Sequence, residues 1–328
     1  MRVNKFLSVL GLIFVTGALA VHAQPAAVQQ FQNTRLDESM PAFSALNPGT
    51  NAPELYAGEN ADVGPQHILR LVPRHKYFNL LFDTQVFYTD NANFAGSRDQ
   101  IGSMIFVNTL QAIITPPDLT VGDGKISTSV GAASQWYNYI NQRMTPLSFD
   151  AITLFVGAKY HHGLWVVSLD DSLTRLMNQS DYYWTYQETL PALTIQRFLP
   201  LNRALLLTLA NQLDYHFTGQ PSKPGTFDEI NNRFDDTVSV TLSWKITPQL
   251  VLQPAYRFTF TNYRYNTLHN ADRNDYLNSV GAALVYTCSP NFSIRTYFNY
   301  SAKCSNDHYV PAYHELDGGA GMSLNLIF

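Results

Sequence analysis

Gly319-Ala320-Gly321-Met322-Ser323-Leu324-Asn325-Leu326-Ile327-Phe328 closes the chain, and its side chains alternate in chemistry. Met322, Leu324, Leu326 and Phe328 fall on one face, while Gly321, Ser323 and Asn325 fall on the other. A period of two is that of a β-strand with apolar surroundings on one side and polar surroundings on the other. The same grammar recurs upstream. Over 236–246, Val238, Val240, Leu242, Trp244 and Ile246 oppose Thr237, Ser239, Thr241, Ser243 and Lys245. Over 291–301, Phe292, Ile294, Phe298 and Tyr300 oppose Ser293, Arg295, Tyr297 and Asn299.

Residues 249–261 set Leu250, Leu252, Tyr256, Phe258 and Phe260 against Gln253, Arg257 and Thr259. Residues 77–90 set Phe78, Leu80, Phe82, Val86 and Tyr88 against Asn79, Asp83 and Gln85. Each run reaches the roughly 9–11 residues of a transmembrane strand. Less regular runs near 100–115, 126–140, 148–161, 164–176, 182–196, 202–217, 274–288 and 316–328 bring the expected count to about twelve, with ten to fourteen compatible. Pro191 interrupts the 182–196 run, whose faces are mixed.

The amino terminus carries an export pattern. Arg2 and Lys5 precede an apolar stretch from Phe6 to Ala20, too short for a spanning helix. Val21-His22-Ala23 fits a small-residue cleavage site, with Ala18-Leu19-Ala20 as a competitor. Residues 1–23 are therefore expected to be a signal peptide. No later apolar run approaches the roughly 20 residues of a spanning helix. That leaves a secreted soluble β-protein or a closed barrel, since lipid tolerates only helices and closed barrels. Aromatic residues at 13%, charged residues at 14% and a mean hydropathy of −0.13 suit strands with one apolar and one polar face. Removing Arg2 and Lys5 takes the formal charge of −4 to −6, which argues against a nucleic-acid partner.

The connections sort by length. Ser301–Glu315, Asn262–Arg273 and Thr218–Asp235 are long, whereas Cys288–Asn291 and Thr247–Gln249 are short. Short periplasmic turns alternating with longer external loops are what an up-and-down barrel requires, and an even strand number puts both chain ends in the periplasm. This orientation brings Tyr88, Tyr139, Tyr182, Tyr183, Tyr215, Tyr263, Tyr265 and Tyr276 to the outer rim, as an expected aromatic girdle. Residues 24–73, rich in Pro, Asn, Gln, Ala and Gly, read as a periplasmic segment of low structure or as a plug of the lumen. Cys288 and Cys304 are expected at opposite ends of adjacent strands, beyond the ~7 Å Cα limit for a disulfide.

On these residues the chain resembles a known group. The strand ending Phe87-Tyr88-Thr89-Asp90-Asn91, the strand Arg257–Tyr263, the hairpin 275–301 and the terminal Phe328 are similar to the β-barrel porin families of Gram-negative outer membranes. The likeness covers about residues 75–328, and Leu326 stands where the terminal signal of those barrels commonly has an aromatic. The resemblance implies a transmembrane barrel over 74–328 in the outer membrane, among its lipids. It also implies that Met322, Leu324, Leu326 and Phe328 are read by the barrel-assembly machinery.

Three functional classes remain. The first is a porin-like channel for passive or weakly selective passage of small polar solutes, in which Asp83, Gln85, Asp214, Lys245, Arg257, Arg295 and Asn325 face the lumen. The plain alternative for each is pairing across the barrel. The second is a surface or adhesion barrel that binds partners through loops 218–235 and 262–273. The third is a rim hydrolase. Lys303-Cys304-Ser305-Asn306-Asp307-His308 lacks the residue order of outer-membrane phospholipases, but Asp214 and His216, with Asp170-Asp171 and Asp235-Asp236, resemble the pairs of outer-membrane aspartyl-type proteases. His161-His162 sit on opposite strand faces and His308, His314 and Glu315 share a loop. Neither group is read as a metal site, and no catalytic residue and no cofactor are expected. Oligomeric state stays open.

Overall fold

The computed structural model describes residues 76–180, 182–223, 226–228, 231–264 and 272–328. The expected signal peptide and the 24–73 segment lie outside the described residues.

Fifteen strands follow in chain order: β1 Phe78–Thr89, β2 Ser103–Ile114, β3 Leu119–Val121, β4 Gly124–Tyr139, β5 Phe149–His162, β6 Trp165–Asn178, β7 Trp184–Thr189, β8 Ala192–Pro200, β9 Leu205–Lys223, β10 Thr226–Asp228, β11 Arg233–Lys245, β12 Leu250–Tyr263, β13 Asn274–Ser289, β14 Phe292–Ser305 and β15 Tyr313–Ile327. They pair antiparallel with their sequence neighbours, and β1 also pairs with β15 from Asn79↔Ile327 to Thr89↔Asp317. That last ladder closes the sheet. β7 and β8 form one stave, since both pair with β6 and β9 in a continuous register, from Leu173↔Thr189 to Asp170↔Ala192. Only Leu190 and Pro191 interrupt it. The result is a closed barrel of twelve staves, with β3 and β10 forming small hairpins at opposite rims.

Turn chemistry follows rim by rim. At the periplasmic rim β5 turns into β6 through Gly163 and Leu164, where Gly163 takes φ 56°, a backbone region costly for residues with a Cβ. At the outer rim the strands run farther than the sequence reading had them. Loop 218–235 is largely ladder, because β9 continues to Lys223 and meets β10, and loop 301–315 shrinks to 306–312.

Alternation sets the two faces of the wall. Phe82, Leu110, Leu154, Leu169, Val238, Val280, Phe298 and Met322 point outward and are exposed. Trp165 and Trp244 mark the lower edge of this band, and Tyr88, Tyr183 and Tyr276 its upper edge. The expected girdle needs correction at two positions: Tyr139 is buried inside the barrel and Tyr263 lines its interior. Their odd numbers place them on the inward face of β4 and β12, so rim height was read correctly but facing was not. Tyr265 lies outside the described residues. Cys288 and Cys304 are free, exposed and at opposite ends of the β13–β14 hairpin, where Tyr276 pairs with Cys304 and Thr287 with Ser293.

β15 is thin where its neighbours are bulky. A Cβ on Gly319 would lie 2.4 Å from Phe87 Cβ and 2.5 Å from the Val86 carbonyl oxygen. The bare backbone lets Phe87 of β1 and Tyr297 of β14 meet over it, with ring centroids 6.3 Å apart. Gly319→Val is accordingly expected to cost about 1–3 kcal/mol through overpacking. A lower urea midpoint in detergent, with reduced heat-modifiable gel mobility, is the measurement. An unchanged midpoint would count against this packing.

Candidate functional site: the barrel interior

The inward side chains divide the interior into two halves. From β1, β2, β4, β5, β6 and β7, Phe87, Ile105, Val107, Tyr137, Tyr139, Phe149, Leu176 and Tyr186 form a buried apolar cluster toward the outer rim. Tyr137 and Phe149 stack at 4.4 Å. Met144, from the loop after β4, is 2% exposed and joins the cluster from above. The remaining space is a cavity of about 1270 Å³. It reaches from His161 and Leu164 at the periplasmic end to Tyr263, Asp275 and Lys303 at the outer end. Its taller side runs along β9, β11, β12, β13 and β14.

Three charged groups stand on this cavity. In the first, Arg295 donates from Nη1 to Asp83 Oδ2 at 2.6 Å and from Nη2 to Asp83 Oδ1 at 2.8 Å. It also donates to Ser323 Oγ and Gln85 Oε1, both at 3.1 Å, and Ser323 donates to Asp83. Arg295 is on β14 and Asp83 on β1, so the fork crosses over β15. Gly321 lies beneath it, and a Cβ there would sit 2.9 Å from the Thr84 carbonyl oxygen and 3.0 Å from Gln85 Cβ, so glycine keeps β15 close against β1 at this point.

In the second group, His216 lies between two carboxylates. Its Nδ1 is 2.5 Å from Glu188 Oε1 and its Nε2 is 3.0 Å from Asp235 Oδ2. Tyr186 donates to Glu188 at 2.9 Å, and Arg233 donates from Nε to Asp235 Oδ2 at 3.2 Å. In the third, Asp275 receives Arg273 at 2.9 and 2.5 Å and Lys303 at 2.8 Å, while Arg273 lies 4.0 Å from the Tyr263 ring centroid.

Of the residues expected in the lumen, Asp83, Gln85, Asp214, Arg257 and Arg295 line this cavity. Lys245 and Asn325 share the inward parity but sit at the periplasmic ends of β11 and β15, outside its lining. The structure joins Asp83, Gln85 and Arg295 into one cluster and leaves Asp214 and Arg257 elsewhere along the wall.

The rim-hydrolase pair is not brought together. Asp214 receives two hydrogen bonds from Gln212 Nε2, at 3.0 and 2.8 Å, and both imidazole nitrogens of His216 face Glu188 and Asp235. Both side chains are buried in the wall rather than presented at an open rim. The Asp-Asp doublets also separate: Asp170 and Asp235 line the interior, whereas Asp171 and Asp236 follow the outward parity of β6 and β11. His161 faces inward and His162 stacks outward on Tyr160 at 6.2 Å. Glu315 is buried and accepts from Thr89 Oγ1 at 2.8 Å, while His308 is 79% exposed, so the loop cluster of His308, His314 and Glu315 does not assemble. Among the described residues no group of three or more His, Cys, Asp or Glu side chains is placed to hold a metal ion.

Sequence reasoning missed Glu188, Arg233 and the shell around His216. The available signal was Arg233-Phe234-Asp235, which continues the alternation of β11 by one more pair outward from Asp236.

Comparison with family models and with curated proteins finds no match. Solved structures do match. An outer membrane channel from Pseudomonas putida F1 aligns with 82% of this chain and 100% of its own, at 7% identity and a TM-score of 0.52. The β domain of a Bordetella autotransporter covers 75% of this chain and 98% of its own, at 12% identity and a TM-score of 0.44. The NanC porin covers 75% and 100%, at 12% identity and a TM-score of 0.41. The first likeness concerns the fold, a β-barrel of the outer-membrane type. The outward apolar band and closed ladder agree with it, and give a wall built to face lipid.

Proposed function

We propose that the barrel is a porin-like channel for small polar solutes. The observation that carries this reading is the interior cavity itself, continuous from the periplasmic turns to Tyr263 and Lys303 and lined by side chains of both charges. A twelve-stave barrel lies between small barrels filled by side chains and 16-stranded pores. Here one half of the interior is filled by the apolar cluster and the other half is not. Mixed charge along the path favours polar solutes with weak preference for sign. Purified full-length protein in a planar bilayer is expected to give discrete conductance steps with low ion selectivity. Silent insertion of correctly folded barrels would overturn the reading.

The terminal strand is proposed to serve assembly. Phe328 and Phe78 exchange backbone hydrogen bonds at 2.8 and 3.3 Å, and their rings lie 6.1 Å apart. Deleting Phe328 removes one register pair of the closing ladder and the outward aromatic at its end. The expected result is less folded barrel in the outer membrane, read as the heat-modifiable fraction on gels. An unchanged fraction would argue against the assembly role.

A further inference from the structure

The inward charges of the wall are sorted along the barrel axis. Counted up each stave from its periplasmic end, they lie no higher than Arg257, seven residues above Leu250, or no lower than Asp214, nine above Leu205. At ~3.3 Å per residue and ~45° tilt these heights are about 16 and 21 Å. The upper set holds Glu188, Asp214, Asp235, Asp275, Glu315 and Asp317. Arg233, Arg273 and Lys303 oppose them, so six carboxylates meet three cations, a formal charge of −3, or −2 with His216 protonated. The lower set reverses the sign: Lys125, Lys159, Lys245, Arg257 and Arg295 stand against Asp83 and Asp170, a formal charge of +3. Lys125 faces inward because it pairs in register with His161.

Pairing within each set does not cancel it. Arg233 offsets Asp235 above, and Arg295 offsets Asp83 below. Asp214 and Glu315 receive hydrogen bonds from neutral donors, Gln212 and Thr89, which leave their formal charge in place. At the other end Lys125 and Lys159 are exposed at the mouth. The turns among the described residues keep the same sense. Asp90, Asp99, Asp272 and Asp307 outweigh Arg98, Arg143 and Arg264 by one outside, while Lys76 and Arg203 balance Asp118 and Asp123 at the periplasmic rim. The two sets are centred roughly 15–20 Å apart on the same rise and tilt, about two Debye lengths at physiological salt, so each governs its own end.

Given the channel reading above, we infer that this axial polarity selects small dipolar solutes of zero net charge, carrying an ammonium and a carboxylate, over ions of either sign. A simple anion is repelled at the acidic outer end, and a simple cation at the basic periplasmic end. Each ion is welcomed at one end and opposed at the other. A zwitterion meets no such asymmetry. At either end the repulsion on one of its groups is offset by attraction on the other, and it turns its ammonium toward the outer end. The same polarity makes ion current depend on direction. With the outer side positive, cations enter through the acidic end and anions through the basic end, so both are recruited. With the voltage reversed, each ion enters through the end that repels it, and the path is depleted of both.

Single-channel current and liposome swelling test this on the full-length protein. In 0.1 M salt the current is expected to be about twofold or more larger in one polarity, and near equal in 1 M salt, where the Debye length falls to about 3 Å. Lys125→Gln/Lys159→Gln/Lys245→Gln, its fold checked by heat-modifiable mobility, is expected to lose this rectification and shift the reversal potential toward cations. Asp214→Asn/Asp317→Asn is expected to shift it toward anions. In swelling, glycine is expected to enter about threefold or more faster than sodium glycolate or ethanolammonium chloride, solutes of similar size but with net charge. The lysine variant is expected to narrow that gap for ethanolammonium. Equal currents in both polarities with equal entry of the three solutes would overturn the polarity while leaving the channel. Silence in both assays from folded barrels would overturn the channel reading, and the polarity with it.

Discussion

Arg295→Met is expected to lower the unfolding free energy by about 2–3 kcal/mol, below the ~3–5 kcal/mol of a fully buried pair because the guanidinium is only partly buried. The side chain of Asp83 is 7% exposed and that of Arg295 24%, so the carboxylate loses far more hydration than the guanidinium. Removing the guanidinium leaves Asp83 facing Ser323 and Gln85 with an uncompensated charge. Asp83→Leu alone is expected to cost less, because the cation it strands reaches the cavity. The double variant Asp83→Leu/Arg295→Met is expected to recover most of the loss, since no charge is then orphaned. Urea midpoints in detergent close the double-mutant cycle. If the two single losses simply add, the fork across β15 is not an energetic unit.

The cross-barrel fork also shows what was and was not legible before the structure. Parity placed Asp83, Gln85, Arg257 and Arg295 inward, because a strand period of two leaves one choice once Phe82, Val86, Phe258 and Ile294 are assigned to lipid. Which inward residues meet depends on closure and on the small residues between them. Arg295 and Asp83 are 212 positions apart and touch across β15, where Gly321 leaves the inner face of the strand bare. That contact has no signature in either strand alone.

The 182–196 stretch was unreadable for a different physical reason. On β7 the usual sense of the barrel is inverted, with Tyr186 buried in the inner apolar cluster, Leu190 buried inward just past the strand, and Gln187 outward against Arg175. A rule that takes apolar residues to lipid and polar residues to the lumen fails where the lumen is packed and the outer face is polar. Glu188 and its contact with His216 were lost with that stave. Asp214 and His216 were assigned the correct face but the wrong partners, since pairing at i and i+2 is local while the carboxylates that hold His216 come from β7 and β11.

The same inversion leads to the second large effect. Tyr137 and Phe149 are 0% and 2% exposed, stacked at 4.4 Å, and they fill the half of the interior that the cavity does not enter. Phe149→Ala removes one ring of this stack and is expected to cost about 3–5 kcal/mol, the range for deleting a fully buried aromatic. It also leaves space beside the interior cavity, and water can occupy part of it where Tyr137 Oη and Ser148 offer partners. The path should then widen on the β4–β5 side. In planar bilayers the single-channel conductance of Phe149→Ala is expected to rise by about twofold or more, with little change in ion selectivity because no charge is altered. Phe149→Leu, which keeps most of the volume, should retain conductance near that of the parent and lose less stability. The contrast separates a lumen narrowed by packed side chains from one narrowed by its loops. If conductance stays unchanged in Phe149→Ala while the barrel remains folded, the narrowest section lies elsewhere, and the apolar cluster acts only to hold β1 through β7 together.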